Sequence, residues 1–251
     1  AIELKPDFAY AHRGLSIYAY LVGNLDLALN SILKAYQLDQ EDMGNKVLLN
    51  VFKGEIKRKE RNLKKNYKIS SLQETILDSN PLILNRPVEK ELIDTLYKIK
   101  AQDQSKYQAP TYGDARGSNY ELFDSNELMI KTIKDELTSI LKNSVKSDIL
   151  IVASFFTIFR SGGGLISHDH LNKLDLVKGL DLKSRKFSLV YYLSVGDQNC
   201  DAPGVLKLEN PNQDILPNNG LIIIFPAERK HSVFYKGQKD RVIIGVNFYR
   251  V

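Results

Sequence analysis

Hydrophobic positions recur at two different spacings along the chain, and the spacing changes near residue 148. Before this point, apolar residues return every three or four positions, as on one face of an α-helix. After it come short β-branched and aromatic runs separated by turn residues, which is typical of antiparallel strands. These runs are ILIVASFFTIF, KFSLVYYLSV, GVLKLE, GLIIIFP, HSVFY and RVIIGVNFY. The pattern predicts a helical N-terminal part followed by an all-β part of roughly eight strands.

The first 66 residues have the features of a helix-turn-helix solenoid. AIELKPDF matches AYQLDQED at an offset of 34 residues, Ala1 over Ala35, which is a period of helical repeats. Residues 9–42, which end with the second of these segments, resemble a tetratricopeptide repeat. Residues 1–8 match the end of such a repeat, which predicts further repeats upstream. The matching positions are Leu15, Gly23 at the inter-helix turn, Ala28, Ile32 and Ala35, whereas His12 and Ser16 replace the usual aromatic residue and glycine.

A third helix is predicted from Met43, and it becomes strongly basic towards residue 65. Its basic residues are Lys57, Arg58, Lys59, Arg61, Lys64 and Lys65. They could form a nucleic-acid patch, but glutamates interrupt them and no aromatic platform accompanies them, which favours a solvent-exposed capping helix. We therefore do not expect a nucleic-acid partner.

The rest of the chain is predicted to be a connector over residues 67–86 and one α+β domain over residues 87–251. Within this domain, a helical part (87–147) precedes a barrel (148–251). The predicted helices start at Pro87 and span about Ser125–Lys142, with a long loop from Gln108 to Ser125 between them. The expected fold is a double-stranded β-helix, or jelly-roll barrel, braced by helices and preceded by the all-α repeat segment.

Composition excludes several classes of protein. Hydrophobic residues make up 43% of the 251, enough for a sizeable core, and the net charge of +5 is only mildly basic. Cys200 is the only cysteine, so the chain can form neither an intramolecular disulfide nor a thiolate zinc cage, and a reducing, cytoplasmic setting is expected. No apolar run approaches the ~20 residues that span a bilayer, so we expect no membrane association.

Two of the four histidines lie two residues apart in the stretch SGGGLISHDHLNKLD. Alternate residues of a strand share a face, so His168 and His170 project to one side and Asp169 to the other. His231 follows another apolar strand, from which the chain could return it to this pair. Two close imidazoles with a distant third suit Fe(II), Zn(II), Cu(II) or Ni(II), and the lack of thiolates favours iron or zinc.

From about residue 148 onwards, the chain resembles the 2-oxoglutarate and Fe(II)-dependent oxygenase superfamily, nearest its prolyl-hydroxylase-like branch. The resemblance rests on an ordered set of features: H-x-H after a strand, the strand LVYYLSV, the GVLKL segment, the strand end FP, His231, and Arg241 ten residues later. It implies Fe(II) bound by His168, His170 and His231, with 2-oxoglutarate and O2 in the remaining positions. Much of the superfamily has a carboxylate at residue 170, so Asp169 or Asp175 stands as an alternative acidic ligand.

The resemblance also implies that Arg241 binds the far carboxylate of 2-oxoglutarate and that Tyr192 reaches the co-substrate. A planar guanidinium suits the first role because it can form two parallel hydrogen bonds. By strand alternation Arg241 shares a mixed face with Ile243, Gly245 and Asn247, whereas the opposite face is wholly apolar. Many family members have a serine at residue 243, which this chain lacks.

The implied function is hydroxylation of a C–H bond with release of succinate and CO2, on a protein or peptide that the repeats could recruit. One alternative is a cupin-type three-histidine dioxygenase that needs no 2-oxoglutarate. Gly162, the H-x-H pair and Asp175 loosely match a first cupin motif, although no second motif surrounds His231. The other alternative is a catalytically degenerate repeat and barrel protein that only binds partners.

Overall fold

The computed structural model describes residues 2–64, 80–103 and 111–251, so residues 67–79 of the predicted connector lie outside the described part. The helices are α1 (Ala9–Leu21), α2 (Leu25–Leu38), α3 (Met43–Lys64), α4 (Lys90–Lys98) and α5 (Leu128–Val145). The strands are β1 (Leu82–Asn85), β2 (Gln102–Asp103), β3 (Thr111–Tyr112), β4 (Ala115–Gly117), β5 (Ile149–Phe159), β6 (Gly164–His168), β7 (Lys186–Ser194), β8 (Leu206–Leu208), β9 (Gln213–Ile215), β10 (Leu221–Pro226), β11 (His231–Phe234) and β12 (Arg241–Arg250). Eight of these strands, β5 to β12, follow residue 148, which agrees with the predicted number, whereas four short strands precede it.

The strands form two antiparallel sheets that pack face to face. The larger sheet has the order β1-β10-β7-β12-β5-β4-β2, and the smaller has the order β3-β6-β11-β8-β9. Side chains from the two inner faces meet in one apolar cluster, for example Ile223 and Ile243 from the larger sheet and Leu208 and Val233 from the smaller. This arrangement of mixed helices and antiparallel sheets agrees with the predicted α+β class.

The outer face of the larger sheet is covered by helices. On β12 the alternation places Val242, Ile244 and Val246 on this face, where they join the apolar residues of α4 and α5 in a second cluster. Arg86 lies beside this cluster: its side chain donates to Glu136 on α5 at 2.7 Å and to the Tyr191 hydroxyl on β7 at 2.8 Å. The helices therefore pack against the outer face of the larger sheet, and its inner face is turned towards the smaller sheet.

Several short strands were not predicted. Residues 82–85, at the end of the expected connector, form β1 and pair with β10. The expected loop from Gln108 to Ser125 contains β3, β4 and a 3₁₀ helix at Leu122–Asp124, and its residues 108–110 lie outside the described part. Segments of two to four residues are too short to show alternation, and their strand conformation depends on pairing with β5, β6 and β10.

The N-terminal helices form a hairpin with a third helix packed on it. Gly23 makes the turn between α1 and α2 with φ of +83°, a left-handed conformation that favours glycine. Small side chains, including Ala19 and Ala28, are fully buried between the helices. Exposed basic residues over 57–61 follow the outer side of α3, as expected for a solvated helix. No helix in the described ranges is both long and apolar enough to cross a membrane.

This helical segment shares a core with the barrel. Its apolar residues cluster with Leu180 and Leu182, from the loop that follows the H-x-H pair, and with Tyr249 near the end of β12. Glu55 on α3 also accepts a hydrogen bond from Arg185, the residue just before β7. The helices therefore pack near the C-terminal end of β12, where they form one wall of a groove.

Candidate active site

The structure brings three distant histidines together at one end of the smaller sheet. His231 opens β11 and pairs directly with His168, the last residue of β6. His170 lies two residues beyond, where its backbone N–H donates to the Ala227 carbonyl at 2.9 Å. One ring nitrogen from each histidine lies within 4.8 Å of the others. Three imidazoles can thus face one point, as a metal ion requires.

The three imidazoles are poor bases. Burial, with the charge of His168, lowers the pKa of His231 to about 3. Burial, with the charges of His231 and His168, lowers the pKa of His170 to about 2. Burial also lowers the pKa of His168. All three rings are therefore neutral near pH 7, the protonation state that a metal ligand needs.

Two of the rings are oriented by backbone carbonyls. His168 Nδ1 lies 2.8 Å from the Ile166 carbonyl, and His231 Nδ1 lies 3.2 Å from the Arg229 carbonyl. Because a carbonyl only accepts, each Nδ1 carries the proton and each Nε2 keeps a free lone pair. This arrangement is common among metal-binding histidines.

The two acids considered as alternative ligands are placed differently. Asp175 forms a buried ion pair with Lys186 at 2.7 Å and accepts from the Tyr249 hydroxyl. Asp169 also lines the cavity, and its carboxylate accepts from the Leu171 backbone N–H at 3.0 Å. Strand alternation predicted that it faces the other way, but β6 ends at His168 and Asp169 lies in the following loop. Among the described residues, neither carboxylate joins the group of close ligand atoms, which contains only the histidines.

The histidines open into a cavity of about 260 Å³ between the two sheets. All four residues of the mixed β12 face, Arg241, Ile243, Gly245 and Asn247, line it, as does Tyr192 on β7. Most of the remaining lining is apolar, with Leu165, Leu189, Val190, Leu206 and Val233 among it. The cavity therefore combines a buried cation, a candidate metal site and largely apolar walls.

Arg241 is a buried cation with few partners. Its side chain is 1% exposed, its Nη1 donates to the Pro203 carbonyl at 3.4 Å, and its Nε has no hydrogen-bond partner within the described part of the chain. Its guanidinium lies 5.0 Å from the ring centre of Tyr192 and 5.9 Å from that of Tyr235, and no acid in the described ranges pairs with it. Because a desolvated charge without a counter-ion is costly, the site is suited to an anionic ligand.

Gly204 makes the space that Arg241 occupies. A Cβ atom at this position would lie 2.1 Å from Arg241 Nη1, and the backbone φ is +80°. Both facts require glycine, which gives a physical reason for the glycine of the GVLKL segment.

The sequence did not identify some of the residues that line the cavity. Tyr120 and Thr111 fall in the segment that was predicted to be a loop, so nothing there indicated a cavity wall. Phe155 and Thr157 share the inner face of β5 with Phe159, and alternation along ILIVASFFTIF could have identified them. Tyr120 packs edge-on against Phe155, with ring centres 5.3 Å apart.

Solved structures with a similar fold include a prolyl hydroxylase and a protein with nickel and 2-oxoglutarate bound. One is a prolyl hydroxylase from Trichoplax adhaerens in complex with a hypoxia inducible factor oxygen degradation domain peptide, with a TM-score of 0.50, 15% identity and coverage of 78% of this chain and 92% of that one. Another is HygX from Streptomyces hygroscopicus with nickel and 2-oxoglutarate bound, with a TM-score of 0.50, 10% identity and coverage of 69% and 84%. No family model matches the chain, and no curated protein matches it. At these identities the similarity establishes a fold shared with these two proteins and nothing more, and the histidine triad adds a candidate metal site.

Proposed function

We propose that this protein is an Fe(II)- and 2-oxoglutarate-dependent oxygenase that hydroxylates a substrate C–H bond. One observation carries the proposal: the same largely apolar cavity contains three neutral imidazoles and a buried arginine that has no counter-ion among the described residues. The first feature suits a divalent metal and the second a carboxylate, and 2-oxoglutarate is a ligand that needs both. Bound Fe(II) and 2-oxoglutarate would supply the oxygen chemistry, in which the co-substrate becomes succinate and CO2.

The residues of this chain have separate roles in the proposal. His168, His170 and His231 hold the metal through lone pairs that their low pKa values keep available at neutral pH. Arg241 binds the far carboxylate of 2-oxoglutarate, and the unpartnered Nε supplies a donor for it. Tyr192, whose ring lies beside the guanidinium, contacts the same end of the co-substrate.

A histidine at residue 170 changes the electrostatics of the metal site. Three neutral imidazoles leave the full +2 charge of the metal in place, whereas an acidic ligand would offset part of it. The dianionic co-substrate then supplies the main compensating charge. We therefore propose that 2-oxoglutarate strengthens metal binding more here than in a site with an acidic ligand.

A cupin-type dioxygenase is the second candidate. The observation that favours it is the ligand set itself, because among the described residues the cluster contains three imidazoles and no carboxylate. Such an enzyme would not need 2-oxoglutarate, and Arg241 would then have no part in its reaction. The two functions therefore differ in their dependence on this residue.

We also propose that the N-terminal helices recruit a protein or peptide substrate, as tetratricopeptide repeats do. Two features support this: the hairpin has a glycine turn with small buried residues, and α1 exposes two large aromatic side chains, Tyr10 and Tyr18. The packing of these helices against the barrel would bring a recruited segment close to the cavity.

Succinate production tests the main proposal. The protein is loaded with Fe(II) and incubated with 2-oxoglutarate and candidate peptides, alongside the variants His231→Ala and Arg241→Ala. Succinate is expected from the wild-type protein and not from either variant. Oxygen consumption that persists in Arg241→Ala without succinate would favour the cupin-type reaction. A protein that binds no metal, and whose stability Fe(II) leaves unchanged, would instead indicate a binding scaffold.

A further inference from the structure

A groove lies between the helical segment and the barrel. It is lined by α1 and the start of α3 on the helical side, and by β5, β12 and the loop that follows the H-x-H pair on the barrel side. Its volume of about 740 Å³ exceeds the 260 Å³ of the active-site cavity. Clefts that bind ligands typically measure about 300–1,000 Å³. The groove is therefore large enough for a ligand, and both parts of the chain build it.

The groove and the active-site cavity lie along the same sheet surface. On β12, Gly245 lines the cavity, Tyr249 lines the groove, and Asn247 between them lines both. On the neighbouring strand β5, Phe155 lines the cavity and Ala153 lines the groove. The Asn247 side chain also lies 3.3 Å from the ring of the second histidine of the H-x-H pair. A ligand in the groove can therefore extend past Asn247 to the candidate metal site.

The loop that lines the groove is fixed to the sheet by a buried ion pair. Lys186 on β7 is 4% exposed and pairs with Asp175 of the loop at 2.7 Å. The same carboxylate accepts hydrogen bonds from the Tyr249 hydroxyl and, at 2.7 Å, from the Asn172 backbone N–H. A preformed groove loses little conformational entropy when a ligand binds, so this network favours affinity.

Apolar side chains from both sides line the groove. They are Ile17, Met43, Val47, Val152, Leu174 and Val177. Met43, the first residue of α3, is 41% exposed and offers surface that a ligand can cover. The exposed ring of Tyr10 extends this surface, because its centre lies 4.3 Å from the guanidinium of Arg13 in the groove. Apolar groups of a ligand would be stabilised here by burial.

One charged side chain of the groove has no partner. Arg13 pairs with Asp42, and Lys186 pairs with Asp175, so these charges compensate each other. Lys173 also lines the groove, is exposed, and joins no ion pair within the described part of the chain. A single free cation complements one acidic side chain, but it cannot compensate the closely spaced phosphates of a nucleic acid. The groove therefore suits a largely apolar ligand with an acidic group.

We propose that this groove binds the protein substrate as an extended peptide segment with apolar side chains and an acidic residue. The apolar side chains pack between the helices and the barrel, the acidic one pairs with Lys173, and a residue further along passes Asn247 to the metal site. A peptide also offers backbone amides to the polar side chains of the groove, which an acyl chain cannot do. The inference rests on the proposed function, and it adds where the substrate lies and which chemistry it has.

Peptide binding to charge variants tests the inference. The probes are fluorescein-labelled peptides rich in leucine and alanine, in three sets that carry aspartate, lysine or no charge, and the readout is fluorescence anisotropy with the full chain. The wild-type protein should bind the aspartate set most tightly. Lys173→Glu should weaken binding of that set by about 3- to 10-fold and strengthen binding of the lysine set. Lys178→Glu, at an exposed lysine of the same loop that is not among the groove residues, is the matched control and should change neither.

A second variant tests the apolar contact. Met43→Ser should weaken binding of all three sets alike, by about 3- to 10-fold, because it removes apolar surface that the peptide covers. Leu128→Ser is its control, since Leu128 is likewise an exposed apolar residue at the start of a helix but lies outside the groove. Laurate is added as a competitor and should not displace the peptides. Displacement would identify an acyl chain as the occupant and overturn the inference.

Succinate formation separates this inference from the proposed function. Peptides that bind in a Lys173-dependent way without any succinate would support the groove and contradict the oxygenase. Succinate formed with peptides at rates that neither Lys173→Glu nor Met43→Ser alters would support the oxygenase and refute the groove as its substrate site. Equal binding of the three peptide sets by the wild-type protein would also refute it.

Discussion

Replacing Gly204 by alanine should impair co-substrate binding through Arg241, a residue that the substitution does not alter. The added Cβ would lie 2.1 Å from Nη1 and 2.7 Å from Cζ of Arg241, closer than atoms can approach, so the guanidinium must move. Gly23→Ala is the matched control, because its φ of +83° is close to the +80° of Gly204, but no atom of the described residues lies within 4 Å of the new Cβ. Both variants should lose roughly 1–2 kcal/mol of stability from the left-handed backbone.

Only Gly204→Ala should lose affinity for 2-oxoglutarate. A hydrogen bond to a charged group contributes about 1.5–3 kcal/mol, so displacing the guanidinium should raise the Kd for 2-oxoglutarate by about 10- to 100-fold. The assay is calorimetric titration of 2-oxoglutarate into the Zn(II)-loaded protein, with urea unfolding of each variant to measure stability. If the two variants bind 2-oxoglutarate equally well, Arg241 does not hold this ligand and the reasoning is wrong.

Three further perturbations have defined outcomes. The pKa of His231 is about 3 in the folded protein and 6.5 without burial, so the unfolded state takes up the proton first as the pH falls. The metal-free protein should therefore lose about 2 kcal/mol of unfolding free energy from this residue between pH 7 and pH 5. Urea unfolding should show this loss, and His231→Gln should reduce it. Asp175→Asn leaves the buried Lys186 unpaired and should lower the free energy of unfolding, measured in urea, by about 3–5 kcal/mol. Asp148→Asn, which breaks an exposed pair with Lys142, should lower it by less than about 1 kcal/mol. Equal losses would contradict this account of the buried pair. Phe52→Ala removes a fully buried ring that stacks on Tyr20 and should lower the free energy of unfolding by about 3–5 kcal/mol. A second unfolding transition in circular dichroism would mean that the barrel unfolds separately from the helices, contrary to a shared core.

The local sequence pattern was sufficient to predict the long strands and the faces on which their side chains lie. Eleven-residue β5 and ten-residue β12 are long enough for alternation to separate an apolar outer face from a mixed inner one, and the inner residues of β12 do line the cavity. The H-x-H spacing indicated that two imidazoles lie close together, but β6 ends at His168, so strand alternation does not place His170, and Asp169 also lines the cavity.

Contacts between distant segments decided the rest. Pairing of β6 with β11 brings His231 beside His168 across 62 intervening residues of chain, and no local pattern encodes that register. Short strands such as β1 and β3 acquire their conformation from the edges on which they pair. The bond between Asn247 and His170, and the burial that keeps the three imidazoles neutral, arise only when β12, β7 and the loop after β6 pack together, because hydrogen bonding and desolvation depend on what surrounds a side chain and not on its neighbours in sequence.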